Sequence, residues 1–376
     1  MKRIGWWSFL FALIVVAVLP SMASANAGTP LMWASMLHLV FGNAAIGFVE
    51  GLLVSWIFSC AKRRAVPILI VANYASAWAG GFLLARPLSF IPDMTIENIR
   101  LWLCVFTIIA FLMTLLIELP FVWLAMRVQR RGLRRAFSAT LVVHGVTYLL
   151  LIGWYWMASG TTMVTQLQVV PATDLLPGEQ YALYFISPDG NEVIRSDLTG
   201  GQQATLRHAS AEHPNSRLFV RQSTAGAYDL FVHVASDGAR SEDELIVEDF
   251  ADLAPVDWHI KEGHSENSTG TWFNVGPVPT LAAESDWVFD TGFWPMEGIV
   301  AVRESKGVRR RFSLETPFAA WIVRNATHLE GDRVVFQLGY DQICVLAAES
   351  RRIALIARGK GPVVAKPKDA PSTDQI

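Results

Sequence analysis

The chain of 376 residues is 52% hydrophobic and 17% charged, with a formal net charge of −2. That balance offers nucleic acid no electrostatic footprint, so no such partner is expected, and three cysteines are too few for a disulfide framework. The average conceals a change near residue 160, where windows apolar enough to span a bilayer give way to alternating apolar and polar residues that carry most of the acidic side chains.

Residues 1–27, MKRIGWWSFLFALIVVAVLPSMASANA, place Lys2 and Arg3 ahead of an apolar core ending at Leu19, followed by the small residues Ala23, Ala25 and Ala27. This is the pattern of a secretory signal peptide, with an uncleaved anchor as the alternative, and both put the following residues outside the cytoplasm. Spans are expected over 31–59, 66–86, 101–125 and 138–158, each near the ~20 residues that cross the hydrocarbon core. Lys62, Arg63 and Arg64 lie between the first and second; Arg127, Arg130, Arg131, Arg134 and Arg135 lie between the third and fourth. Both basic loops should therefore be cytoplasmic, and the mixed loop with Arg86, Asp93, Glu97 and Arg100 outside. The expected organisation is a signal peptide (1–27), a four-helix transmembrane domain (28–160), an extracytoplasmic β domain (161–363) and a disordered tail (364–376). The lipid bilayer is the first partner this implies, and a multi-pass protein of the bacterial inner membrane is the expected localisation, with everything after residue 160 exported to the periplasm or beyond.

Each span carries one strongly polar residue at a similar count from the basic flanks. Glu118 precedes Arg127 by nine positions, Asn73 follows Arg64 by nine, His144 follows Arg135 by nine, and Glu50 precedes Lys62 by twelve. At 1.5 Å per residue they lie roughly 13 to 18 Å from those charges, in one layer. Asn43 shares a helical face with Glu50, and Gly47 and Gly51 on that face form a Gly-x-x-x-Gly pattern that lets a neighbouring helix approach. In the second span Asn73, Ala77 and Gly81 make a similar small-residue stripe; in the third Thr107, Thr114 and Glu118 align near Pro120; in the fourth His144, Thr147 and Tyr148 share a face. Ionisable residues inside spans are costly and default to functional sites. Glu50, Asn73, Glu118, His144 and Asn43 could form a hydrogen-bonded layer that sets helix register, a proton or ion relay, or a divalent-metal site with Glu50, Glu118 and His144 as ligands. The Glu-x-x-His spacing of helical-bundle metal sites is missing. His38 falls on another face and reads as a hydrogen-bonding or interfacial residue. The stretch IGFVEGL, residues 46–52, resembles a helix of the membrane subunits of bacterial cobalt and nickel importers of the energy-coupling type. The likeness covers one span, and the metal-capturing N-terminal histidine sequence of that family is missing, so its residues are not carried over.

From Thr161 the pattern is all-β. YALYFI, Ser187-Pro188-Asp189-Gly190-Asn191 and EVIRSDL read as a hairpin, and short strands follow in the same style. Turn signals recur at Asp189-Gly190, Asp237-Gly238, Glu284-Ser285-Asp286 and Gly331-Asp332, a period like that of propeller blades. YFISPDGNEVIRSDLTGG resembles a blade of the TolB-like kind, which implies propeller-like sheets; a β-sandwich is the alternative. Asp257, His259, Glu262 and His264 sit in DWHIKEGH, which reads as a solvated loop rather than a metal cluster. Asn267 and Asn325 begin glycan sequons.

The expected function is a non-enzymatic transport or signal-coupling module with an exported β binding domain. The alternative is an assembly or scaffold protein whose helices pack on partner membrane subunits and whose β domain docks an exported partner. A membrane-bound hydrolase has the least support, since no nucleophile is matched to a base.

Overall fold

The computed structural model describes residues 36–84, 94–129, 132–158, 163–176, 181–223, 225–235, 242–256, 276–282, 284–291, 298–314 and 321–368. The signal peptide, Arg86, Asp93, Arg130, Arg131, the Asp237-Gly238 turn, the DWHIKEGH loop, Asn267 and the last eight residues lie outside them. The chain forms two compact units, a helical one ending at Thr165 and a β one beginning at Gln166.

Helix α1 (Asn43–Ile57) continues a π-helical turn over His38–Gly42, and is followed by α2 (Lys62–Leu84), α3 (Ile99–Met126) and α4 (Gly132–Ala158). Each packs on its chain neighbours and α1 meets α4, which closes a ring of four. Among the described residues three helices, His38–Ile57, Ile99–Met126 and Gly132–Met157, are long and apolar enough to cross a membrane by length and composition. The α2 helix overlaps the second expected span, 66–86, without being one of those three, and begins at Lys62, Arg63 and Arg64. Both basic turns sit at one end of the ring: the Gln129 amide donates to the carbonyls of Phe58 (3.2 Å) and Ser59 (3.1 Å), and Arg135 donates to Gln129. Between that end and the middle of the ring lies an apolar core of Val54, Ala65, Leu69, Val122, Met126 and Ala139 with its neighbours.

The described residues of the β unit form three sheets. The seven-stranded sheet runs in the order Ala204–His208, Glu192–Asp197, Ala182–Ile186, Lys360–Pro367, Glu242–Leu253, Tyr228–Val234, Arg217–Gln222. Five strands form a second sheet in the order Gln168–Val169, Arg352–Arg358, Gln342–Ala347, Arg333–Leu338, Val323–Leu329, and four form a third, Val308–Phe312, Ile299–Arg303, Trp287–Thr291, Gly276–Pro277. Ala182–Ile186 is buried on both faces. Leu183 and Phe185 pack against Ile343, Val345 and Ile356 of the five-stranded sheet, while Tyr184 and Ile186 pack against Leu218, Val220 and Leu230 of its own. The seven-stranded sheet is therefore curled upon itself and covered by the five-stranded one. The predicted hairpin is present, with Ala182 opposite Asp197 and Ile186 opposite Val193.

The strand Lys360–Pro367 enters the segment that the sequence assigns to a tail from residue 364, because it completes a sheet between two earlier strands. Gly361 allows it to start: φ is 56°, and a Cβ there would lie 2.5 Å from the Arg217 Cα. Buried Gln337 accepts from the Gly361 amide at 2.8 Å and donates to the Gly339 and Tyr340 carbonyls. Cys344 is buried in its strand. Two of the recurrent turns touch, as Ser285 donates to Asp332 at 2.6 Å.

Two turn aspartates link this unit to pH. Hydrogen bonds from the Ser187 hydroxyl and then from Asn191 hold the Asp189 carboxyl below its ordinary value. Those from Ser305 and then Arg303 do the same for Asp286. A carboxyl depressed in the folded state contributes stability above its unfolded value, about 3.9, and loses it as pH falls through the folded value. Acid unfolding followed by near-UV circular dichroism should therefore be shallower in Asp189→Asn and Asp286→Asn chains than in the parent below about pH 4. Parallel acid limbs would show that these turns do not carry the effect.

Candidate functional site

The four residues expected in one layer meet at the centre of the helical ring. Glu50 of α1, Asn73 of α2, Glu118 of α3 and His144 of α4 are all buried, Glu50 and His144 to 1% exposure and Glu118 to 0%. Glu50 is the hub. Its Oε2 accepts from Asn73 Nδ2 at 2.5 Å, and its Oε1 pairs with His144 Nδ1 at 2.8 Å and accepts from the Thr147 hydroxyl at 2.7 Å. Glu118 Oε1 accepts from the Ser76 hydroxyl at 2.6 Å, and Oε2 lies 3.5 Å from Asn73 Nδ2 and 3.4 Å from His144 Nε2. Carboxylates buried among apolar helices are tolerated only when their lone pairs are matched in this way.

The ring brings Glu50 and Asn73 together through close contact of α1 and α2. Gly47 faces the backbone of Leu69 and Ile70, and Gly51 faces that of Ala65 and Val66. Ala77 is half-buried on α2, and the surroundings of Gly81 lie outside the described residues. Asn43 is buried but donates to the Leu39 carbonyl one turn back at 3.2 Å, and among the described residues takes no hydrogen bond from the cluster. Seven residues separate it from Glu50, which at 1.5 Å each puts it about 10 Å along the axis.

Ser76, absent from the sequence-derived set, is the residue that holds Glu118. Its signal is positional: three places beyond Asn73, it shares that residue's helical face. Further polar contacts continue on the side away from the basic turns. Thr114 and Tyr148 hydroxyls pair at 2.8 Å, and His38 Nδ1 pairs with the Tyr155 hydroxyl at 3.0 Å. The cluster is thus flanked by polar groups toward one end and by the apolar core toward the other.

No protein family matches this chain, and no curated protein matches it. Among solved structures, a crystal structure of virginiamycin B lyase from Staphylococcus aureus is similar at 14% identity over 44% of this chain, with a TM-score of 0.15. The chain spans about half of that protein's length, 52%. A likeness at that TM-score carries no argument about fold or activity.

Proposed function

We propose that this is a multi-pass membrane protein, non-enzymatic, in which a proton or cation held by Glu50, Glu118 and His144 biases the packing of four transmembrane helices coupled to an exported β domain. The observation that carries this reading is the convergence of two carboxylates and an imidazole, donated by three different helices, at a fully buried point. A charge in such a place is held at high cost, and changing its occupancy changes the electrostatics of every helix around it. Leu101, Leu116, Leu149 and Trp56 stand exposed on the helices, which suits a surrounding bilayer. The two basic turns at one end support the orientation in which that end is cytoplasmic and the β unit is on the other side. The apolar core between the cluster and the basic turns favours signal coupling over free conduction, because an ion would have to cross it. In this reading the β unit binds an exported partner.

The test is a proton and cation flux assay on reconstituted vesicles, read beside the fluorescence of helix-end probes. Glu50→Gln and Glu118→Gln are expected to abolish the pH- or cation-dependent probe response. A response equal to that of the parent in both variants would refute a role for the cluster.

A further inference from the structure

One nitrogen in the cluster makes no hydrogen bond. His144 Nδ1 pairs with a Glu50 oxygen at 2.8 Å, which turns the other ring nitrogen, Nε2, toward Glu118. Nε2 is buried and makes no hydrogen bond, yet it lies 3.4 Å from Glu118 Oε2. A buried polar atom left without a hydrogen bond marks a place where an ion can bind.

We infer that the cluster binds one divalent transition-metal ion, with His144, Glu118 and Glu50 each giving one ligand atom. One donor atom from each residue already lies within 4.8 Å of the others. An imidazole with two carboxylates suits the borderline ions of the first transition row, whereas magnesium and calcium take oxygen alone. Two carboxylates also neutralise a divalent ion, which is what a buried site requires. The supports that orient metal ligands are in place: the Ser76 hydroxyl on Glu118, and Asn73 and Thr147 on Glu50. The Thr114–Tyr148 pair lies on the polar side, from which an ion could approach.

This inference rests on the proposal that the cluster handles a cation. The full chain in lipid nanodiscs, stripped by chelator, is titrated with cobalt(II) and then zinc(II). One cobalt per chain is expected, with the visible absorption of a four-coordinate ion that zinc displaces. Glu118→Gln and His144→Gln should weaken binding by more than about a hundredfold, and Thr147→Val, which removes an orienting bond and no ligand, by about 10- to 100-fold. Gly145→Ala, with nothing within 4 Å of the added Cβ, should bind as the parent does. X-ray absorption at the metal edge of the parent protein, which needs no variant to fold, should report one imidazole among oxygen ligands. Failure of the parent to bind stoichiometrically, or binding that survives both ligand substitutions, overturns the metal site. If the parent binds no metal while the probe response to pH still depends on Glu118, only the metal inference falls. Loss of both defeats the cation-handling proposal as well.

Discussion

Glu50→Ala is expected to destabilise the helical unit by about 3–5 kcal/mol, the scale of breaking a buried charge network from one side. Asn73 Nδ2, His144 Nδ1 and Thr147 Oγ1 converge on its carboxylate from two other helices; without it Asn73 keeps the Leu69 carbonyl at 3.1 Å and Thr147 the Val143 carbonyl at 3.2 Å, while buried His144 Nδ1 loses its partner. A buried polar group left unmatched costs about 1–3 kcal/mol, and the alanine also leaves a cavity. Glu50→Gln should cost less, about 1–2 kcal/mol, because the amide oxygen can still accept and Asn73 can turn its own oxygen toward the new NH2 group. Asn43→Ala provides the contrast. Its amide serves only a carbonyl of its own helix, so about 1 kcal/mol is expected despite equal burial. Thermal unfolding in a bilayer mimetic, followed by circular dichroism, orders the three. Equal losses for Glu50→Ala and Asn43→Ala would mean that Glu50 is no hub.

The sequence disclosed the polar layer because helices convert residue counts into depth. Basic residues mark one end of each span, and counting from Arg64, Arg127 and Arg135 placed Asn73, Glu118 and His144 at one level, where the structure joins them. Asn43 shows the limit of face-matching. A spacing of seven returns a residue to the same face but two turns away, so sharing a face with Glu50 did not bring it into reach. Ser76 went unread because a serine inside a span carries no charge to be explained, although its offset from Asn73 was visible. That His144 Nε2 makes no hydrogen bond depends on ring orientation, which no residue spacing encodes. In the β unit, alternation located strands such as 182–186 and 192–197 and their shared turn. It could not locate the strand Lys360–Pro367 between partners more than a hundred residues upstream, since period-two patterning specifies faces and not neighbours. For the same reason the recurrent turns did not delimit separate sheets: strands on both sides of the residue 208–217 segment belong to one.

The contact of α1 with α2 makes a sharper demand than any polar residue. A Cβ at position 47 would sit 2.5 Å from Ile70 Cα and 2.7 Å from the Leu69 carbonyl oxygen; at position 51 it would sit 2.5 Å from Val66 Cα. These obstacles are backbone, which cannot swing aside as a side chain can, so the helices must part. Glu50 lies between the two glycines on the same helix, and parting them pulls its carboxylate from Asn73, which it holds at 2.5 Å. Gly47→Leu and Gly51→Leu should therefore prevent the ring from assembling, and even Gly47→Ala should destabilise by about 2–4 kcal/mol, above the ordinary cost of overpacking, because a hydrogen bond to a buried charge is lost with the packing. Gly80→Ala and Gly145→Ala meet nothing within 4 Å, and helix propensity alone should make them neutral or up to about 1 kcal/mol more stable. The three alanine variants carry the same added methyl on a helix, so opposite outcomes isolate close approach from propensity. Cysteine cross-linking between α1 and α2 reports the separation directly: the Gly47→Ala chain should cross-link more slowly than the parent while the Gly145→Ala chain keeps the parent rate. Equal rates in all chains would show that α1 and α2 do not need contact through glycine, and would remove the physical reason for placing Glu50 within reach of Asn73.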